Sequence, residues 1–236
     1  MEGILNVDKP PGVSSARVVA RVKRLLPRGT KIGHAGTLDP FATGVLLLLV
    51  GKATKACERL MDLPKQYETV IRLGATTETD DPETPAIPWA PVRQAQGRPA
   101  GGSELITPNQ DAIESALKAF TGQIMQRPPA YSALKVGGRR AYDLARAGHD
   151  VALQPRPVNV YRIELLDYTW PLLRLRIDCG RGTYIRAIAR DLGVALDVGG
   201  HLAELRRTGI GKFRIQDAVP PEVLETEGVA SHLKQP

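Results

Sequence analysis

HAGTLDPFATGVLLLLVGKATK, residues 34–55, is the stretch on which the reading of the fold turns. Its first half is a loop of small residues (Ala35, Gly36, Thr37, Ala42, Thr43, Gly44) around one carboxylate, Asp39, with Pro40 directly after it. Its second half is an apolar run, Val45 to Val50, bounded by Gly44 and Gly51. A run that short between glycines predicts a buried strand rather than a long helix. The acid therefore sits on a tight loop leading into core structure, and loops on rigid scaffolds are where chemistry tends to be placed. Taken alone, an Asp before Pro in such a loop reads as a turn former whose side chain bonds nearby backbone N–H groups. GKATK is not a phosphate loop: the residues before Gly51 are an apolar strand, and Ala53 stands where Ser or Thr is needed. That excludes nucleoside triphosphate binding there.

On the N-terminal side, Ile4 to Val7 is a short apolar stretch, and Asp8-Lys9-Pro10-Pro11-Gly12 is a rigid turn. Ser14 or Ser15 caps a helix with Val18, Val22, Leu25 and Leu26 on one face. Its cations, Arg17, Arg21, Lys23, Arg24 and Arg28, are either a solvated face or a phosphate-binding one. On the C-terminal side, Ala53, Ala56, Cys57, Leu60 and Met61 have the spacing of a short amphipathic helix ending near Pro64. Tyr67 stands at the start of a strand that runs to Leu73, followed by an acidic loop with Glu78, Asp80, Asp81 and Glu83. This loop lacks the Gly and terminal Glu of a Ca²⁺ loop.

Residues 85–104, rich in Pro, Gly and Ala, read as a flexible insertion. Thr107-Pro108 starts a helix with Ile113, Leu117 and Phe120 inward, and Gly122 ends it. A turn-rich segment, Pro128 to Lys135, precedes a basic helix with Arg139, Arg140, Tyr142 and Arg146. From Val151 to Cys179 the pattern is β, with Leu173, Leu175 and Ile177 alternating with Arg174, Arg176 and Asp178. Thr183 caps a helix with Tyr184, Ile185, Ile188, Ala189 and Leu192 on its apolar side. Strands at Leu202–Thr208 and Phe213–Ile215 follow, then a short helix from Pro220.

A chain of 236 residues can bury a sizeable core. The net charge of +7 is uneven. Residues 1–60 hold ten Lys/Arg against four Asp/Glu, 61–120 five against nine, and 121–180 nine against five. Such a distribution fits a basic face for phosphates as well as a solvated surface. Two cysteines, Cys57 and Cys179, imply no disulfide framework, and the four histidines show no metal-ligand spacing. The N-terminus lacks the shape of a signal peptide, and no apolar run approaches membrane-spanning length. The expectation is a soluble, metal-free, cytoplasmic monomer.

Read together, GHxGTLDPxAxGVL and the GxATK after it closely resemble the signature of the TruB family of tRNA pseudouridine synthases. NVDKPxGxSS near the N-terminus, KxYxxxxxLG with TxTxD, PPxYSAxKxxGxxAYxxAR, and CxxGTYIRxxxxDLG resemble its other motifs. A match over many positions at fixed spacing is far more specific than a four-residue pattern. The resemblance implies an α+β fold, a central mixed, mostly antiparallel sheet flanked by helices. It implies that Asp39 is the catalytic nucleophile, that Arg186 pairs with it, and that Tyr67 stacks on the target base and serves in proton transfer. His34 would fill the space beside the extruded nucleotide, and Lys9 would orient the active-site loop or meet RNA backbone. Tyr131, Lys135, Arg139, Tyr142, Arg146 and Tyr184 would face the RNA, where bases stack on aromatic rings and Arg planes.

The implied substrate is the T arm of tRNA, at position 55, and no cofactor is needed because isomerising uridine involves no net redox change or hydrolysis. The catalytic domain is expected to span residues 1–216. Residues 217–236 read as a short helix and tail, too short for a PUA-type RNA-binding domain. The rivals are a non-catalytic RNA-binding protein or tRNA folding chaperone on the same scaffold, and a synthase with another RNA target. A phosphate-ester hydrolase is more distant, because a second carboxylate at close spacing is missing.

Overall fold

A computed structural model describes residues 1–90, 107–132, 134–136, 138–149 and 153–235. In chain order the strands are β1 (Gly3–Lys9), β2 (Ile32–His34), β3 (Thr43–Val50), β4 (Lys65–Leu73), β5 (Ala75–Thr76), β6 (Ile87–Pro88) and β7 (Gly122–Gln126). They continue with β8 (Lys135–Val136), β9 (Arg139–Arg140), β10 (Arg156–Thr169), β11 (Leu172–Cys179), β12 (Gly200–Ile210) and β13 (Phe213–Arg214). The α-helices are α1 (Ser15–Lys23), α2 (Cys57–Asp62), α3 (Gln110–Lys118), α4 (Ala141–Arg146), α5 (Ile185–Ala195) and α6 (Pro221–Glu227). The class is α+β, as expected, with antiparallel pairing dominant.

The chain forms two compact units. The first is built from Met1–Glu68, Asp178–Arg181 and the chain from Glu204 onward. Its strand order is β1-β3-β12-β4-β11, with β2 added to β3 and β13 to β12. β1 and β3 pair antiparallel from Gly3↔Val50 to Lys9↔Gly44, whereas β12 meets β3 in parallel at Arg206↔Thr43 and Arg207↔Gly44. β3 is covered on both faces. Leu46, Leu48 and Val50 pack with Val18 and Val22 of α1 and Leu224 of α6. Val45, Leu47 and Leu49 pack with Ala53, Leu60 and Phe213 on the other side. A strand buried on both faces needs no polar alternation, which is why its sequence reads as an unbroken apolar run.

Local chemistry sets the ends of these elements. Ser14 is the cap of α1, its hydroxyl accepting from Arg17 N at 3.2 Å, which leaves Ser15 buried for another task. Leu25 lies beyond the helix and faces water, contrary to its expected place on the apolar face. The residues after 216 include the short helix α6 and are bonded back to β1. Val219 N donates to Asn6 O, and Ile4 and Lys234 exchange two backbone hydrogen bonds at 2.9 Å.

The second unit is built from Thr69–Ile177 and Gly182–Ala203, with strand order β12-β4-β11-β10-β7. Leu173, Leu175 and Ile177 of β11 are fully buried, as their alternation predicts. Three helix boundaries differ from expectation. Asn109, not Thr107-Pro108, caps α3, its side chain accepting from Ala112 N at 2.9 Å; this is the stronger cap, and the helix starts two residues later. Gly122 opens β7 instead of ending α3, which closes at Ala119. α5 begins after Tyr184, because the Thr183 hydroxyl is turned to Asn159 O.

The basic segment also divides differently. Arg139 and Arg140 pair with Lys135 and Val136 in a hairpin, and only Ala141–Arg146 is helical. Gly138, at φ +84°, makes the turn that permits this. Within the expected insertion, β6 pairs with β5 and Trp89 N donates to Gly74 O. Positions 91–104 of that insertion, and Val151 of the expected β region, lie outside the described residues. Among the described residues, no helix is long and apolar enough to cross a membrane.

Candidate active-site residues

In the first unit, the loop carrying Asp39 is clamped at nearly every residue. Ser15 Oγ accepts from Leu38 N at 2.9 Å and donates to Leu38 O at 3.0 Å, just before the acid. Lys9, fully buried at the end of β1, donates its ammonium to the carbonyls of Pro10 (2.8 Å), Val13 (2.7 Å) and Pro40 (3.0 Å). Pro40 O also accepts from Gly12 N at 2.9 Å, and Asp39 O accepts from Ala42 N at 3.1 Å. The two sequence stretches singled out as motifs, the Lys-Pro turn and the TLDP loop, thus form one hydrogen-bonded body. This geometry favours the loop-orienting reading of Lys9, since a buried ammonium bonded to carbonyls is turned away from solvent.

Arg207 closes the loop from the other side. Its guanidinium, 1% exposed, donates to Val45 O (2.7 Å), Gly36 O (3.1 Å) and Thr37 O (3.3 Å). Its charge also acts on the phenol of Tyr67. Tyr67 is buried, and burial pushes its phenol above the ordinary tyrosine value, while Arg207 pulls the other way. His34, half-buried on β2, is held toward its neutral form by burial first and by Arg207 second. Lys65, two residues before Tyr67 on the same face of β4, is buried with its ammonium on Met61 O. Burial, with Arg207 next, brings Lys65 down to about 8.

In the second unit, Arg186 is 4% exposed on the first turn of α5, not a surface Arg. Its guanidinium meets the Asp81 carboxylate at 3.2 Å and donates to Thr79 O at 3.0 Å and Tyr131 O at 2.9 Å. Asp81, 2% exposed, also accepts from Thr79 Oγ1 at 2.5 Å and Glu83 N at 3.0 Å. Beside it Asp80 meets Arg190 at 3.0 Å. The acidic loop is therefore a knot of ion pairs, not a solvated charge run.

The tyrosines and arginines of the RNA-facing expectation gather in this unit. Tyr131 and Tyr142 meet edge to face, ring centroids 6.2 Å apart, and the Arg146 guanidinium lies 4.9 Å from the Tyr142 ring centre. The Tyr131 hydroxyl donates to the Glu78 carboxylate. Arg139 is exposed in β9, and Lys135 lies in the facing strand. Tyr184 is half-buried, with Arg156 over its ring at 5.7 Å. Its backbone is held twice by the buried Gln126 amide, which accepts from Tyr184 N at 2.8 Å and donates to Tyr184 O at 3.1 Å.

The reading of the sequence passed over Arg207, Gln126 and the second role of Ser15. Arg207 carried a signal: it falls in phase with Leu205 and Gly209 on β12, so a charge stands at a core position. Gln126 and Ser15 carried none, because a buried amide or hydroxyl looks like any other until its partner is known. Among the described residues no group of His, Cys, Asp and Glu has the arrangement of a metal site.

Residues 23–185 match the TruB family pseudouridylate synthase N-terminal domain, and residues 186–233 match the tRNA pseudouridylate synthase B C-terminal domain. The chain is 46% identical over 225 residues to the tRNA pseudouridine synthase B of Aromatoleum aromaticum, covering 95% of this chain and 68% of that protein. It is 46% identical over 227 residues to that of Corynebacterium aurimucosum, covering 94% and 72%. Among solved structures it resembles a Cbf5-Nop10-Gar1 complex, with a TM-score of 0.68 and 30% identity over 98% of this chain and 57% of the other. It also resembles an H/ACA RNP bound to a substrate RNA containing 2'-deoxyuridine, with a TM-score of 0.66 and 27% identity. That match covers 98% of this chain and 56% of the other, so this chain spans little more than half of either solved relative.

Proposed function

The chain belongs to the TruB family of pseudouridylate synthases, and on that footing we propose that it converts uridine to pseudouridine in tRNA, at the T-loop uridine, position 55. The observation that carries this reading is the clamped loop. Ser15, Lys9 and Arg207 hold the residues on both sides of Asp39, so the backbone that carries the loop's one carboxylate is fixed. We assign the reaction to residues 1–216, acting as a single chain in the cytoplasm.

The reaction breaks the N1–C1′ bond of uridine and joins C1′ to C5 after the base has turned. N1 gains a hydrogen and C5 loses one, so atoms and electrons balance without a cofactor. Asp39 is the nucleophile, with Arg186 as its ion partner. A guanidinium beside a desolvated carboxylate favours the ionised, nucleophilic form. The target base must leave its stack at a cost of about a few kcal/mol. Tyr67 faces the uracil and replaces part of that stacking, and it takes part in proton transfer. A neutral His34 fills the gap beside the extruded nucleotide. Lys9 contributes through the Asp39 loop. Tyr131, Tyr142 and Tyr184, with Lys135, Arg139 and Arg146, meet the exposed bases and phosphates of the T arm.

The test is tritium release from C5 of uracil in a T-arm hairpin, with wild type and Asp39→Asn. Release from the wild type alone, with equal hairpin binding by both, is the expected result. Tight binding with no release from either protein would replace this reading with a chaperone, or with a synthase for another RNA.

A further inference from the structure

Arg207 is a full charge among the most deeply buried side chains of the protein. A guanidinium removed from water is costly unless every donor is satisfied, and an apolar residue of similar volume would pack at least as well for stability. The partners of this one are not distributed at random over the core. Two are the carbonyls of Gly36 and Thr37, which lead directly to Asp39. A third is Val45 O, where the same loop re-enters β3. The Arg207 charge reaches the phenol of Tyr67 on a different strand as well.

The backbone is also built for this contact. Gly44 has φ +101°, and a Cβ there would lie 2.2 Å from the Arg207 carbonyl oxygen. Only glycine lets β12 come close enough to seat the guanidinium under the loop.

We infer that Arg207 is a positioning residue for the isomerisation, fixing the Asp39 loop beside the Tyr67 phenol. The inference rests on the function proposed above. The planar guanidinium holds its three carbonyl contacts in one fixed fork, which a rotatable ammonium does not. The same charge opposes protonation of His34 and Lys65, keeping further positive charge away from the wall of the site.

The test compares wild type, Arg207→Lys, Arg207→Gln, Tyr67→Phe and the Arg207→Lys/Tyr67→Phe double variant at 10 °C. Single-turnover tritium release and hairpin affinity are measured for each, and thermal melting gives the folded fraction. Arg207→Lys is expected to react about 10- to 100-fold more slowly with hairpin affinity within threefold, and Arg207→Gln to be slower still. In the Tyr67→Phe background the lysine substitution should cost clearly less, because the hydroxyl that the Arg207 charge acts on is gone.

A rate within threefold of wild type, an affinity that falls in step with the rate, or full multiplication of the two losses would overturn the inference. So would failure of both Arg207 variants to fold, which would make the residue part of the scaffold alone. Hairpin binding with no release from the wild type would instead sink the isomerase reading, and the inference with it.

Discussion

The ammonium of Lys9 and the carbonyl of Pro40 lie 3.0 Å apart, so the end of β1 holds the residue that follows Asp39. Lys9→Met keeps the length and removes the donors, leaving the carbonyls of Pro10, Val13 and Pro40 to find new partners. The loss should be about 2–3 kcal/mol of stability, read from urea midpoints. Turnover of a T-arm hairpin should fall at least tenfold while hairpin affinity changes less than threefold. A large loss of affinity with preserved turnover would instead make Lys9 an RNA ligand.

Asp81 holds Arg186 from below. Asp81→Asn retains the shape and removes the charge opposite a guanidinium only 4% exposed. Breaking one side of a buried pair costs about 3–5 kcal/mol when the other charge is left behind. The expected outcome is a clear drop in melting temperature together with a loss of tritium release. Asp80→Asn, on the neighbouring pair with the half-buried Arg190, should have the smaller effect on release.

Alkaline pH should stabilise the protein before it denatures it. Lys65 in the folded chain gives up its proton near 8, against 10.5 for an ordinary lysine, because burial disfavours its charge. Between those values the unfolded chain binds more protons, so stability rises with pH. The full effect is on the order of 3 kcal/mol. Tyr67 works against it only above pH 10, where its raised value favours the folded, protonated form less and less. Urea unfolding at pH 7, 8, 9 and 10 should show the rise, and Lys65→Met should abolish it while stabilising the protein at pH 7.

Mild acid should have the opposite effect. His201, 4% exposed, has Nδ1 on Ala75 O at 3.2 Å, and burial lowers its value below that of free histidine. His34 is lowered for the same first reason. Both are neutral in the folded state at a pH where the unfolded chain begins to take up protons. Stability is therefore fully present above about pH 6.5 and falls as pH drops through that value. His201→Gln should reduce the difference between urea midpoints at pH 7.5 and 5.5. An unchanged difference would show that this ring titrates alike in the folded and unfolded chain.

Much of this molecule was legible before its coordinates. The apolar run Val45 to Val50 identified a buried strand because strand length and flanking glycines are local properties. The alternation from Leu173 to Ile177 did the same for β11. The family resemblance of the motifs is what proposes Asp39, Tyr67 and Arg186 as site residues, since those residues are read in the company of their neighbours in sequence. Long-range partners escaped. Nothing adjacent to Arg207 says that it will reach Gly36 across 171 positions, or that Gln126 will bridge the backbone of Tyr184. Helix starts were misplaced where two cap residues competed, as at Thr107-Pro108 against Asn109, because the winner depends on which backbone N–H the fold exposes. The ion pairs of the acidic loop escaped as well, because its counter-ions, Arg186 and Arg190, lie more than 100 positions away.

The double covering of β3 has a consequence for exchange and lifetime. A strand with helices on one side and a 3-10 turn, a short helix and Phe213 on the other has no solvent-facing edge of its fold through which to open locally. Its amide hydrogens, Leu46 to Leu49 among them, should exchange with heavy water only when the whole first unit unfolds. The loop that ends in β3 shares that fate. Its geometry persists for as long as the fold does, so under the function proposed above the backbone beside Asp39 is set before RNA arrives, and the reorganisation falls to the nucleotide.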